Sequence, residues 1–174
     1  MSELPEEAQG EIFLFTHEFL RDHGYPAYEV SNFARSPEHR SRHNQKYWRH
    51  VPYLGLGPSA HSFSGTHRWW NERKLGPYEK KIEVGERPVE ESEELTREDL
   101  ALEALMLGLR TADGIDLGAF RQRYGVDLRK RNEPLVERLV REGLLRIEGD
   151  LLIPTLEGLA VTDSLARDFE TRVE

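Results

Sequence analysis

Four side chains in one short stretch, His43, Asn44, Tyr47 and Trp48, carry the most chemistry in this sequence. A neutral imidazole such as that of His43 can act as an axial ligand to heme iron. A ligand histidine usually leans on a hydrogen-bonded partner at its other ring nitrogen, and the Asn44 amide is adjacent. Tyr47 and Trp48 offer flat faces against which a porphyrin can stack. Arg40, Arg42, Lys46 and Arg49 crowd the same segment. A guanidinium matches a carboxylate in a two-pronged geometry, so these cations suit heme propionates as well as plain solvation. The simpler account of the same residues is a packed loop anchored by Trp48, with His43 merely hydrogen-bonded.

Other chemistry-bearing residues surround this stretch. His39 and His50 flank it and His61 and His67 follow, but the spacings 39–43–50 give no helical H-x-x-x-H context like that of a zinc protease and no cysteine joins them, so a metal site is not expected. The segment Gly55-Leu56-Gly57-Pro58-Ser59 lets backbone approach a partner closely, because glycine has no side chain in the way. Its spacing fits neither a phosphate loop nor a dinucleotide fingerprint, and a tight strand-end turn is the plainer reading. Of Trp69 and Trp70, adjacent on a strand, one is expected in the core and one on the surface.

The order of these motifs makes the chain resemble a known family. Tyr28-Glu29-Val30-Ser31-Asn32-Phe33-Ala34-Arg35, then the H-N-x-x-Y-W pattern at His43, Asn44, Tyr47 and Trp48, then Gly55-Leu56-Gly57-Pro58-Ser59-Ala60-His61-Ser62 look like the HemW family. These are radical-SAM proteins grouped earlier with oxygen-independent coproporphyrinogen III oxidase and regarded as heme chaperones. The resemblance covers essentially the whole chain. It implies heme contact at His43, Asn44, Tyr47 and Trp48. It also implies a place near S-adenosylmethionine for Gly55 and Gly57, with Glu29, Ser31 and Asn32 under the same argument. One departure matters. The family's N-terminal part carries C-x-x-x-C-x-x-C for a [4Fe–4S] cluster, whereas this chain has no cysteine. Thiolates are the usual ligands of such clusters. The chain therefore resembles the family's C-terminal portion, with S-adenosylmethionine and the cluster belonging to the whole parent. No catalytic residue is expected here, and the chain alone is expected to be inactive.

Composition bounds the rest. The 174 residues suffice for one domain or two small ones. A formal net charge of -8 argues against general nucleic-acid binding. There is no apolar run long enough for a transmembrane helix. The start is acidic, with Glu3, Glu6 and Glu7, and lacks the pattern of a signal peptide. The absence of cysteine excludes a disulfide framework. A cytoplasmic protein is the expectation.

The elements that position the motifs are legible from periodicity. Pro5 to His23 reads as a helix with Ala8, Ile12, Phe15 and Phe19 on its apolar face. Ala27 to Phe33 reads as a strand packing through Tyr28, Val30 and Phe33. A long loop is expected from Ala34 to Pro52, a strand over Tyr53–Leu56, and a hairpin around Ser64-Gly65-Thr66. A short helix follows from Pro77 to Val84. Residues 1–85 then form the C-terminal part of a barrel-like α/β domain, and 86–95, acidic and holding Pro88, a linker. Residues 96–174 open on a capping box, Thr96 with Asp99. Leu100, Ala104, Leu105 and Leu107 form an apolar face. Helices follow over Leu117–Tyr124 and around Leu135 to Val140, then a hairpin across Gly149-Asp150. A final helix carries Leu156, Leu159, Leu165 and Phe169. The fold class is α+β: an incomplete α/β barrel-like segment, then a mostly helical winged-helix-like domain. The basic group Arg129, Lys130, Arg131, Arg138 and Arg141 invites a DNA-binding reading of that domain. Yet 12 basic residues face 16 acidic ones from Arg97 to Glu174, and affinity for a polyanion would be poor. A HemW-like heme chaperone that passes heme to an acceptor protein, for example of the respiratory chain, is the first functional expectation. Coproporphyrinogen III oxidase chemistry and a winged-helix interaction or DNA-binding module are the alternatives.

Overall fold

Thr96 begins the second half of the molecule with a local capping arrangement. In the computed structural model, which describes residues 4–172, its hydroxyl accepts from the Asp99 N–H while Asp99 reaches back to the Thr96 N–H. Two otherwise orphaned N–H groups are thus satisfied where the helix starts. Glu3 of the acidic start, and the chain's last two residues, lie outside the described range.

The first half holds α1 (Glu6–Asp22), the short strands β1 (Ala27–Glu29) and β2 (Asn32–Phe33), a 3₁₀ turn at Pro37–His39, and α2 (Arg42–Trp48). It continues through β3 (His61–Phe63), β4 (His67–Asn71), α3 (Leu75–Glu83) and β5 (Val89–Glu94). The second half holds α4 (Arg97–Gly108), β6 (Ile115–Asp116), α5 (Leu117–Tyr124), α6 (Leu128–Arg131) and α7 (Glu133–Arg141). It closes with β7 (Leu145–Glu148), β8 (Leu151–Pro154), α8 (Leu156–Ala160) and α9 (Thr162–Asp168). The fold is thus mixed helix and sheet. Every pairing between the described strands is antiparallel, in sheets ordered β1-β2, β3-β4-β5 and β6-β8-β7.

Several expected elements stand where periodicity put them. The β3–β4 hairpin turns at Ser64-Gly65-Thr66, α5 spans Leu117–Tyr124, and β7–β8 turn at Gly149-Asp150. The main core lies in the second half. Ala101, Leu105 and Leu109 of the α4 region meet Phe120 and Tyr124 of α5, Val136 and Leu139 of α7, and Leu165 near the end. Gly158 sits against the Leu144 carbonyl with no room for a Cβ, which lets α8 close against the residue leading into β7, next to β8.

Other expectations are corrected. The run Ala27–Phe33 is two strands, not one, because the chain reverses at Val30-Ser31. Tyr53–Leu56 is no strand; Tyr53 alone makes a bridge to Phe63. The final helix is broken into α8 and α9 at Val161. The segment expected as a linker contains β5, which pairs along β4 and completes a sheet. Its glutamates stay exposed on an edge strand, where charge is tolerated. On α1, Ile12, Phe15 and Phe19 are 54%, 66% and 49% exposed. The buried side is offset by one residue: Phe13 and His17 stack 4.1 Å apart, and His17 meets Phe33 edge-on. The helix has two apolar stripes, and β1–β2 with α8 covers the one that periodicity did not favour.

The two halves are stitched by backbone. Val30 N–H donates to Arg110 C=O and Ala112 N–H to Tyr28 C=O, so β1 runs beside the chain leaving α4. Arg40 grips both oxygens of Asp113 at 2.9 Å.

Candidate functional site

The segment that carries H-N-x-x-Y-W is a helix, not the long loop its composition suggested. Ser41 caps α2, its hydroxyl accepting from Asn44 N–H at 3.3 Å, and its own N–H donates to the Tyr28 hydroxyl. The helix ends in a left-handed residue, His50, at φ 50°. His50 N–H bonds Tyr47 C=O, and Val51 N–H reaches back to Lys46 C=O. That is the Schellman closure, normally made with glycine. A non-glycine residue there costs about 1–2 kcal/mol. Arg123, which donates to the Arg49 and His50 carbonyls, holds the turn.

Helical geometry sorts the motif into two pairs. His43 and Tyr47, four apart, share a face. The Tyr47 hydroxyl lies 3.1 Å from His43 Nε2, and the rings meet edge-on at 5.0 Å. His43 is exposed. Its partner is therefore Tyr47 rather than Asn44, whose backbone N–H is held by the Ser41 hydroxyl. Asn44 and Trp48 occupy the other side. Trp48 lines a small cavity of about 120 Å³ beside Tyr28, Arg40 and Thr111, where its buried Nε1 has no hydrogen-bond partner among the described residues. Tyr47 also packs edge-on against Tyr53 at 4.7 Å.

The glycine turn is internally held. Gly55 N–H donates to the Ser62 hydroxyl, and the buried Asn71 amide donates to Gly57 C=O at 2.9 Å. A Cβ at Gly55 would run into the His61 carbonyl oxygen, so this glycine is required by packing. Gly57 faces open space at φ 103°. Glu29 is buried and accepts from Ser31 N–H and from the Asn32 side chain, closing the turn between β1 and β2.

Sequence reasoning missed a network behind α2. His50, 7% exposed, lies 3.4 Å from the Tyr124 hydroxyl through Nδ1. Its Nε2 is 3.4 Å from Glu103 Oε2, near enough for attraction but not aligned for a hydrogen bond. Glu103 is already taken: Arg68 grips both its oxygens, at 2.9 and 2.6 Å. Burial pushes the His50 pKa below its usual value, Glu103 opposes that, and Arg123 and Arg68 reinforce it. The bond to Glu103 raises that of Arg68. No local signal could have assembled this group, because Arg68 and Glu103 stand 35 residues apart.

The profile of the HemN C-terminal domain family matches residues 95–161. The chain is 34% identical over 144 residues to the heme chaperone HemW of Mycobacterium tuberculosis, a match covering 83% of this chain and 35% of that protein. The heme chaperone HemW of Bacillus subtilis is 30% identical, with 88% and 40% covered. The chain belongs to the HemW family. It spans little more than a third of the length of these HemW relatives. The mitochondrial radical S-adenosyl methionine domain-containing protein 1 of Mus musculus is 34% identical, with 84% and 35% covered. In fold, the chain is similar to coproporphyrinogen III oxidase (HemN) from Escherichia coli, a radical SAM enzyme. The TM-score is 0.60 at 16% identity, over 90% of this chain and 39% of that one. The cluster of a radical SAM protein does not fit the residues of this HemW-family chain. There is no cysteine, and no group of three His, Asp or Glu among the described residues could hold a metal. No helix among them is long and apolar enough to cross a membrane.

Proposed function

We propose that this chain supplies part of the heme contact of a HemW-like heme chaperone, which passes heme to an acceptor protein. The observation that carries the reading is the His43–Tyr47 pair on the exposed side of α2. If Nε2–H donates to the Tyr47 oxygen, the Nδ1 lone pair is left facing outward for iron. A ligand histidine held through its other nitrogen is the usual arrangement at metal sites. Tyr47 adds an aromatic face beside it, Asn44 lies next along the helix as a further member of the contact, and Trp48 sets the helix against the rest of the molecule beside Tyr28 and Thr111. Heme is cargo here. S-adenosylmethionine and the [4Fe–4S] cluster belong, in this reading, to the parent's other part, with Gly57 the more accessible glycine of the turn and Gly55 fully engaged in packing. Residues 1–85 would then be the last portion of the barrel-like domain, and 96–174 a winged-helix-like unit for protein contact, in a cytoplasmic protein. The surplus of acidic residues in the second half supports protein contact over DNA.

The test is a hemin titration of the chain followed at the Soret band. The parent chain is expected to bind, and His43→Ala to weaken binding and change the spectrum. Tyr47→Phe is expected to weaken binding with a smaller spectral change, because iron keeps its ligand. Equal affinity and identical spectra for the parent and His43→Ala, with both folded by circular dichroism, would overturn the reading.

A further inference from the structure

The second half of the chain holds the motif helix at both ends. Isolated helices below about 12–15 residues are marginal in water, and α2 has only seven. It also has no acidic residue in its first turn to favour its dipole. The pairing of the His43 ring with the Tyr47 hydroxyl, 3.1 Å apart, needs the two residues one helical turn apart. What keeps α2 wound therefore decides whether that pair is present.

Ser41 supplies a local cap, and the other anchors come from far along the chain. Before the helix, Arg40 donates to Asp113, in the turn between α4 and β6. The same guanidinium sits over the Tyr28 ring, whose hydroxyl accepts from the Ser41 N–H. After the helix, Arg123 of α5 donates to the Arg49 and His50 carbonyls at 3.4 and 3.2 Å. A cation there also meets the negative end of the helix dipole. Between the two ends, Trp48 shares a cavity wall with Gly108 and Thr111. Asp113 and Arg123 both fall within residues 95–161, the stretch that matches the HemN C-terminal domain.

We propose that Asp113 and Arg123 are positioning residues for heme. From the second half they clamp the two ends of α2, and so keep the His43–Tyr47 pair in the geometry that heme contact needs. Both act through the helix and not on heme itself. The purpose of the clamp rests on the heme reading, while its mechanism rests on the hydrogen bonds at the ends of α2. The second half thus sets how firmly heme is held, although the motif lies in the first.

The test pairs amide hydrogen exchange with hemin titration of the whole chain. The Asp113 side chain is 55% exposed and Arg123 lies at the surface, so either can be truncated without opening the core. Asp113→Ala and Arg123→Ala should each speed exchange over residues 45–51, whose N–H groups close the helix. The amides of the buried Leu105 and Leu139 should stay as slow as in the parent. Hemin affinity should fall about 5-fold in each variant, the size of one lost hydrogen bond, with the Soret band moving toward that of His43→Ala. Arg123→Lys keeps a cation at the helix end and should recover part of the loss. In a His43→Ala chain, Arg123→Ala should weaken hemin no further, because residues that act through one another are not additive. Parent-like exchange over residues 45–51 in either variant would overturn the clamp. So would faster exchange there with parent hemin affinity, or a loss from Arg123→Ala of the same size with and without His43. Hemin binding that ignores His43→Ala marks the failure of the heme reading instead, and the exchange result alone then decides the clamp.

Discussion

Arg68→Met tests the network behind the motif helix. The guanidinium makes two charge-assisted hydrogen bonds to Glu103, and the side chains are 24% and 29% exposed. Fully exposed pairs contribute about 0.2–1 kcal/mol. Removing one partner of a buried pair costs about 3–5 kcal/mol. A pair about three-quarters covered falls between, near 2 kcal/mol, since Glu103 would stay half-buried without its cation. For a chain of this size each kcal/mol moves Tm by about 2–4 °C, so a drop of about 4–8 °C is expected in a thermal melt at pH 7.5. A second readout follows from the same geometry. Arg68 holds the His50 pKa down and occupies Glu103. Its loss frees the carboxylate beside Nε2, and the His50 pKa, followed by NMR of the ring protons, should rise. Arg68→Met combined with Glu103→Leu should recover more than half of the lost Tm, because neither charge is then stranded. A Tm within 1 °C of the parent for Arg68→Met, or a double variant as unstable as the sum of the singles, would refute the reasoning.

Two further outcomes are expected. Gly55→Ala should cost about 2–3 kcal/mol in urea unfolding, because its Cβ meets rigid backbone at His61. Gly57→Ala has open space but φ 103° and should cost less, about 1 kcal/mol; the reverse order would contradict the packing described. Stability should also fall as pH drops below about 6.5. The pKa values of His17 and His50 are lowered in the folded state, chiefly by burial, so the unfolded chain takes up protons first. The loss should level off once pH passes below the folded values. Urea midpoints at pH 7.5, 6.5 and 5.5 check this, and midpoints that stay level or rise on acidification would count against it.

Much of the framework was legible. The Thr96–Asp99 capping box, α5, the Gly149-Asp150 hairpin and the β3–β4 hairpin rest on neighbours within a few residues, where local chemistry dominates. The readings that failed had local signals that were ambiguous or misleading. The cluster of polar and basic residues around His43 suggests a loop by composition, yet Ser41 caps a helix there and His50 closes it, as a histidine where glycine is the usual choice. The acidic run Glu90–Glu94 reads as a linker because charge masks its strand pairing with β4. On α1, two apolar stripes compete, and periodicity cannot say which one the rest of the chain will cover.

The candidate site divides along the same line. The types and order of His43, Asn44, Tyr47, Trp48, Gly55 and Gly57 mark the family before any coordinates, since a motif is a property of neighbours along the chain. The lack of cysteine likewise excludes a thiolate-held cluster from this chain by composition alone. Tertiary structure decided which motif residues work together. The helical turn pairs His43 with Tyr47 and sends Trp48 to the other side. Folding also brought Arg68, Glu103 and Tyr124 to His50 from 18, 53 and 74 residues away. Contacts over such distances depend on how helices and sheets pack, and that is set by the sum of burial over the whole chain, which no short window of residues contains.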